Sequence, residues 1–264
     1  MALPKRFDES RNEEFVVRSI ILKKQPWGEA DELALFLARD LGWLTGVAKN
    51  ARKSRVRFGG HLEPLALVDL TLRPRKRDNL VWIDDAQLVR GYTRIRTDLF
   101  RVAWCSYLLE LSSVLLPEGN PDLDVFDFLL RLLDLMESSD PSVLHLLLEE
   151  IHLLGLLGYA PRFDVCLVCG RILEPGQEAL FSPSKGGACH LTCLAAQTEA
   201  WVRLSPNTLA AVKRGLDAAP RVVERIRLGE KGQAELRHAL SAFVRYLRGE
   251  DIKSLVFLEK MELP

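Results

Sequence analysis

The chain has 264 residues, 48% of them hydrophobic, and its 36 Lys/Arg are balanced by 36 Asp/Glu. That is enough for two domains, or one large one, with real cores, and the neutral total names no partner. The most apolar run, Val143 to Ala160, is interrupted by His145, Glu149, Glu150 and His152, which argues against a membrane span.

Residues 1–14 are charged, polar and aperiodic, so a disordered tail is expected there. They lack the apolar stretch of a signal peptide, and the expected location is the cytoplasm. From Phe15 the pattern is β. Phe15–Leu22 is rich in β-branched residues and stops before Pro26-Trp27-Gly28. Leu33, Leu35 and Leu37 alternate with Ala34, Phe36 and Ala38. Gly42 gives a turn, and Trp43–Ala48 resumes a strand. Leu62–Leu72 reads as a fourth strand broken at Pro74, and Leu80–Val89 as a fifth. Five short strands with turn signals between them predict a small closed barrel over residues 15–91. An OB-fold is the first expectation, with an SH3-like barrel as its competitor.

After Tyr92 the period becomes helical. Leu99, Val102, Ala103, Ser106, Leu109 and Leu111 share a helix face, and Pro117 ends that helix. Asp122 can cap a second, running to about Glu137. Asp140-Pro141 is expected to open a third, which stops at Gly158. Ser205-Pro206 starts another, and Gln233–Arg248 reads as the last. Residues 92–264 are thus expected to form an all-helical domain with an insert at 163–196. The fold class is α+β.

That insert holds four of the five cysteines. Cys166-x2-Cys169-Gly170 is followed by Gly186-Gly187-Ala188-Cys189-His190-Leu191-Thr192-Cys193. Two short-spaced pairs about 20 residues apart supply four tetrahedral ligands, as in a zinc ribbon. The second pair is either Cys189 with Cys193, or His190 with Cys193. Either choice makes four ligands and leaves no open position, so one structural zinc ion is expected. Cys105, alone in an apolar helix, reads as a buried small hydrophobe.

Charge is distributed unevenly. Phe15–Arg90 holds 14 Lys/Arg against 9 Asp/Glu, and Gly91–Pro264 holds 19 against 23. Lys49, Arg52, Lys53, Arg55 and Arg57 fall between the third and fourth strands. Arg73, Arg75, Lys76 and Arg77 lie around the turn between the fourth and fifth. Lys23, Lys24 and Trp27 lead into the turn after the first. Cations on barrel loops displace counterions from phosphates, and Trp27, Phe58 and Trp82 are candidates to stack on unpaired bases. These cations and Trp27 form the expected DNA-binding set, whereas Phe58 and Trp82 read more readily as core. No GxxxxGK[ST], HExxH or GxSxG is present. His61, His145, His152 and His238 are scattered, and Asp84-Asp85 point to opposite faces of one strand. No catalytic residue is expected, and the protein is not read as an enzyme.

The chain resembles the RecO family of bacterial recombination mediators. Gly28-Glu29-Ala30-Asp31 carries part of that likeness. So do Val47-Ala48-Lys49-Asn50-Ala51-Arg52 and Arg57-Phe58-Gly59-Gly60-His61-Leu62-Glu63-Pro64. Leu153–Pro161, followed by Cys166-x2-Cys169-Gly170, completes it. The likeness spans about residues 15–260 in unbroken order. It implies an OB-fold followed by a helical domain with a zinc site. It also implies binding of single- and double-stranded DNA and annealing of complementary strands. The implied partners are RecR, the acidic tail of single-strand binding protein (SSB), and RecA, which is helped onto SSB-coated DNA. A nucleoid-associated cytoplasmic protein follows. The family's second knuckle reads Gly-Gly-x-x-Cys-x2-Cys, and His190 stands here at the first of those cysteines. A zinc-ribbon regulatory factor that binds nucleic acid without annealing it is the alternative.

Overall fold

The computed structural model describes residues 14–54, 56–75, 80–174, 176–193, 201–218 and 220–260. They divide between two compact units, Met1–Ser139 and Asp140–Pro264.

Among the described residues the first unit holds five strands: β1 (Phe15–Trp27), β2 (Asp31–Ala38), β3 (Gly42–Ala48), β4 (Leu67–Pro74) and β5 (Leu80–Arg90). They close into a barrel in the order β1-β2-β3-β5-β4. The β3–β5 pair is parallel and the other pairs are antiparallel. This order makes the barrel an OB-fold and removes the SH3-like alternative. Phe36, Leu44, Val68, Leu70, Leu72, Val81 and Ile83 fill the interior. β1 runs further than its β-branched stretch, carrying Pro26 opposite Glu32. β4 begins at Leu67 rather than Leu62. Residues 58–66 instead form turns, with positive φ at Gly59, Gly60 and Leu65, and Leu62 and Leu65 bury their side chains from that loop.

Three helices follow among the described residues of this unit: α1 (Thr93–Thr97), α2 (Leu99–Leu115) and α3 (Leu123–Ser138). Asp98 caps α2 through Phe100 N and Arg101 N, and Asp122 caps α3 through Val125 N. Ile20, Leu37 and Trp43 form one row across β1, β2 and β3 on the barrel's outside. All three are buried, so this end of the outer face is covered. Gly119 N, in the α2–α3 connection, donates to the Trp43 carbonyl at 3.0 Å.

The covering loop makes Gly42 irreplaceable. Its φ is 76°, and a Cβ there would lie 2.4 Å from the Asn120 carbonyl oxygen. Neither the backbone sign nor the backbone obstacle can yield cheaply. Gly42→Ala is therefore expected to destabilise the first unit by about 2–4 kcal/mol, measured by urea unfolding. A change under about 0.5 kcal/mol would show that the loop simply swings away.

The second unit starts with α4 (Val143–Leu156). Its N-cap is Ser142, whose hydroxyl accepts from His145 N at 3.2 Å. Asp140 does not cap it, and Pro141 falls before the first turn. Gly158 ends the segment at φ 86°. Then come β6 (Ala179–Ser182), β7 (Gly187–His190), a 3-10 turn (Leu191–Cys193) and β8 (Val202–Leu204), with sheet order β7-β6-β8. The helices α5 (Pro206–Leu216), α6 (Pro220–Val223), α7 (Glu230–Arg248) and α8 (Lys253–Lys260) follow. Ser205 caps α5 with Pro206 in the first turn. α7 begins earlier than Gln233, because Gly229 serves as N-cap. α8 lies beyond the helix that the sequence reads as the last. Phe181 on β6 stacks on Phe163 at 5.4 Å and meets Phe243 of α7 edge-on at 6.0 Å. That aromatic run fastens the small sheet to α7.

Candidate nucleic-acid face and metal centre

The open part of the barrel's outer face is built by register. Gln25, Leu33, Val47, Trp82 and Arg73 are successive partners across β1, β2, β3, β5 and β4. Lys23, Leu35, Thr45 and Leu80 form the neighbouring row, and Trp27 pairs with Asp31 beyond the first. Paired residues share a face. Lys23, Gln25 and Trp27 are exposed, while Leu33, Leu35, Thr45, Leu80 and Trp82 are half-buried. The result is a partly apolar floor with cations at its margin.

The basic loops close on this floor. Arg52 N donates to Ala30 O at 3.1 Å, and Asn50 N to Asp31 Oδ1 at 2.8 Å. Arg52 Nη1 also reaches Glu29 O at 3.2 Å. The start of the β3–β4 loop is thereby fastened to the tip of the β1–β2 hairpin. Lys49 Nζ and Arg75 Cζ stand over the Trp82 ring, 4.7 Å and 4.5 Å from its centroid. Arg57 Nη2 donates to Lys49 O at 2.9 Å. Lys53 is exposed.

Two of the expected cations are engaged elsewhere. Lys24 Nζ lies 2.8 Å from Glu63 and 3.5 Å from Glu32. Although burial opposes its charge, those two carboxylates hold its pKa above the usual lysine value. Lys24 pairs with Ala34, an interior position, so it points off the open face. The cause is a slip in the β1–β2 register between Ile21 and Lys23, which inverts the alternation. Arg73 lies on the face but forms a two-point ion pair with Asp84, at 2.9 and 3.0 Å. Phe58 is a core residue, 2% exposed, whereas Trp27 is 46% exposed. Arg55, Lys76 and Arg77 lie outside the described residues. The residues that sequence reading did not single out are the floor itself: Gln25, Leu33, Leu35, Thr45 and Leu80. Only the strand register reveals them.

In the second unit, Cys166, Cys169, His190 and Cys193 bring their ligand atoms within 4.8 Å of one another. Among the described residues no other such group is found. Cys169 Sγ and Cys193 Sγ lie 3.5 and 3.9 Å from His190 Nδ1. A tetrahedral ion with bonds of about 2.0–2.3 Å requires S···N edges of about 3.5 Å, so the cage has the right size. Gly170 N donates to Cys166 O at 2.9 Å, and Cys166 N to Arg171 O at 2.8 Å, closing the first knuckle. Leu167 N donates to Ala188 O at 3.0 Å and pins that knuckle to β7. A Cβ at Gly187 would strike the Leu167 side chain at 2.9 Å, so glycine permits this approach. The backbone N–H of Arg171, and then its side chain, hold the Cys169 thiol down to about 6. A thiolate is the form a metal takes.

Cys189 is outside the cluster. It pairs with Leu180 and His190 pairs with Ala179, so the two neighbours point to opposite faces of β7. Cys189 is fully buried, and its thiol is pushed up to about 11, chiefly by that burial. The fourth ligand of the group is His190.

An OB-fold barrel followed by a helical domain with an inserted Cys3His cluster defines the class of this protein. The description "Recombination protein O N terminal" matches residues 13–92, and "Recombination protein O C terminal" matches residues 96–255. The DNA repair protein RecO of Syntrophus aciditrophicus is 31% identical over 246 residues, covering 92% of this chain and 94% of that protein. That of Anaeromyxobacter sp. strain K is 31% identical over 242 residues, with 92% and 94% covered. That of Dehalococcoides mccartyi strain 195 is 28% identical over 248 residues, with 94% and 96% covered. The chain belongs to the RecO family of DNA repair proteins. No helix among the described residues is long and apolar enough to cross a membrane.

Proposed function

We propose that this protein binds single- and double-stranded DNA on the open barrel face and anneals complementary strands. With RecR it helps RecA load on DNA coated by SSB, whose acidic tail it contacts. The observation that carries this reading is the convergence of Lys23, Trp27, Lys49, Arg52 and Arg75 around one half-buried floor, with Lys53 exposed on the same loop as Lys49 and Arg52. Cations there neutralise phosphate repulsion between two strands, and an exposed ring offers a surface to an unstacked base. The work is physical rather than covalent, so no catalytic centre is required. The protein acts in the cytoplasm, at the nucleoid.

The Cys3His cluster is proposed to hold one zinc ion. Three thiolates and an imidazole suit zinc, and four protein ligands leave no place for a reacting water, so the ion staples the ribbon.

Annealing of complementary oligonucleotides coated with SSB tests the function. The wild-type chain should speed duplex formation at least tenfold over the spontaneous rate. DNA binding without any acceleration, with RecR present or absent, would favour a nucleic-acid-binding regulator instead.

A further inference from the structure

The open face places one aromatic ring between two basic loops. Trp82 on β5 lies beside Val47 of β3 and Arg73 of β4. One pleat beyond each of those neighbours stands a cation, Lys49 and Arg75, and both return over the ring at 4.7 and 4.5 Å. Their shared ring keeps the two charges within about 9 Å of each other, close to the Debye length of 0.1 M salt. At that separation they repel. The negative face of an indole is the best side-chain partner for such cations, so the ring offsets the repulsion and gathers both loops. The neighbouring groups brace the pair. Arg57 holds the Lys49 carbonyl, and Asp84 pairs with Arg73 at two points.

We infer that Trp82 is a positioning residue: it seats Lys49 and Arg75 as a two-cation subsite for a backbone phosphate of the DNA strand. This rests on the DNA-binding reading above and gives Trp82 a different task from base stacking. Its ring is already engaged by cations, and the exposed ring open to a base is Trp27, at 46%. A phosphodiester has the chemistry to fill the seat, because its anionic oxygens can meet both cations at once. The bases do not enter this subsite.

The test compares oligothymidylate with an abasic deoxyribose-phosphate strand of equal length, both titrated against the full chain across a range of salt. Trp82→Leu should weaken binding of both strands by the same factor, roughly five- to tenfold. It should also lower the slope of log affinity against log salt by about 0.7, one single-strand phosphate contact. Trp82→Phe, which keeps a ring face, should restore most of both quantities. If Trp82→Leu does not fold, Trp82→Met removes the ring with a smaller change in shape. A loss confined to oligothymidylate, with abasic affinity and slope unchanged, would make Trp82 a stacking residue and overturn the inference. Unchanged binding of both strands would overturn it equally. Those outcomes leave the DNA-binding reading standing, whereas failure of the wild-type chain to bind either strand sinks that reading first.

Discussion

Replacing His190 by alanine is expected to empty the metal centre, whereas replacing Cys189 by alanine should leave it filled. The wild-type chain should carry one equivalent of zinc that survives a mild chelator. His190→Ala and Cys169→Ser each break a set whose atoms lie within 4.8 Å of one another, and zinc should then be lost under the same competition. Structural zinc binding supplies on the order of 10 kcal/mol to isolated fingers. This ribbon is also fastened by the packing of Phe163, Phe181 and Phe243, so only part of that should be felt. A loss of about 3 kcal/mol would lower the melting temperature by roughly 10 °C. Cys189→Ala removes a fully buried sulfur from the opposite face of β7 and should cost about 1–2 kcal/mol by leaving a small cavity. Zinc stoichiometry by atomic absorption decides the matter. Zinc retained in His190→Ala and lost in Cys189→Ala would reverse the ligand assignment. Oligonucleotide affinity should change less than about twofold in either variant, because the cations proposed to hold DNA belong to the barrel.

The same pair of residues shows where sequence reading stops. Composition and spacing say that four ligands lie between Cys166 and Cys193. They do not say which of two adjacent residues faces the ion, since that depends on strand β7 and its pairing with β6. Once Ala179 is opposite His190, alternation decides it. The barrel was legible because β2 and β3 carry their turns and alternation locally. The start of β4 was not, because Leu62 and Leu65 look like strand residues while serving as loop anchors. The cap of α4 is hidden for a related reason: Asp140-Pro141 and Ser142 all suit a helix start, and only backbone geometry chooses Ser142. Lys24 illustrates a non-local cause. A single register slip after Ile21 moves Lys23, Gln25 and Trp27 onto the open face and turns Lys24 toward Glu32 and Glu63. No composition rule announces a bulge of that kind.

Reversing Lys49, Arg52, Lys53 and Arg75 to glutamate together should abolish DNA binding while leaving the fold intact. Lys49, Arg52 and Lys53 are exposed, and Arg75 is half-buried at the barrel rim. None contributes to the interior cluster, so the change should move the urea midpoint little. The effect on DNA should be large, because each cation lost removes a released counterion and each glutamate adds repulsion. With about 0.7 in salt slope per single-strand phosphate contact, four contacts amount to nearly three units. Affinity for oligothymidylate at low salt should fall at least 100-fold, and the remaining dependence on salt should be shallow. Reversing Lys24 alone should behave differently. Its charge is already met by Glu63 and Glu32, so Lys24→Glu should disturb the barrel rim more than the salt slope. Fluorescence anisotropy across a salt series separates the two kinds of loss. Should the fourfold variant bind with the wild-type slope, phosphates are gripped elsewhere on the molecule and the open face is not the DNA site.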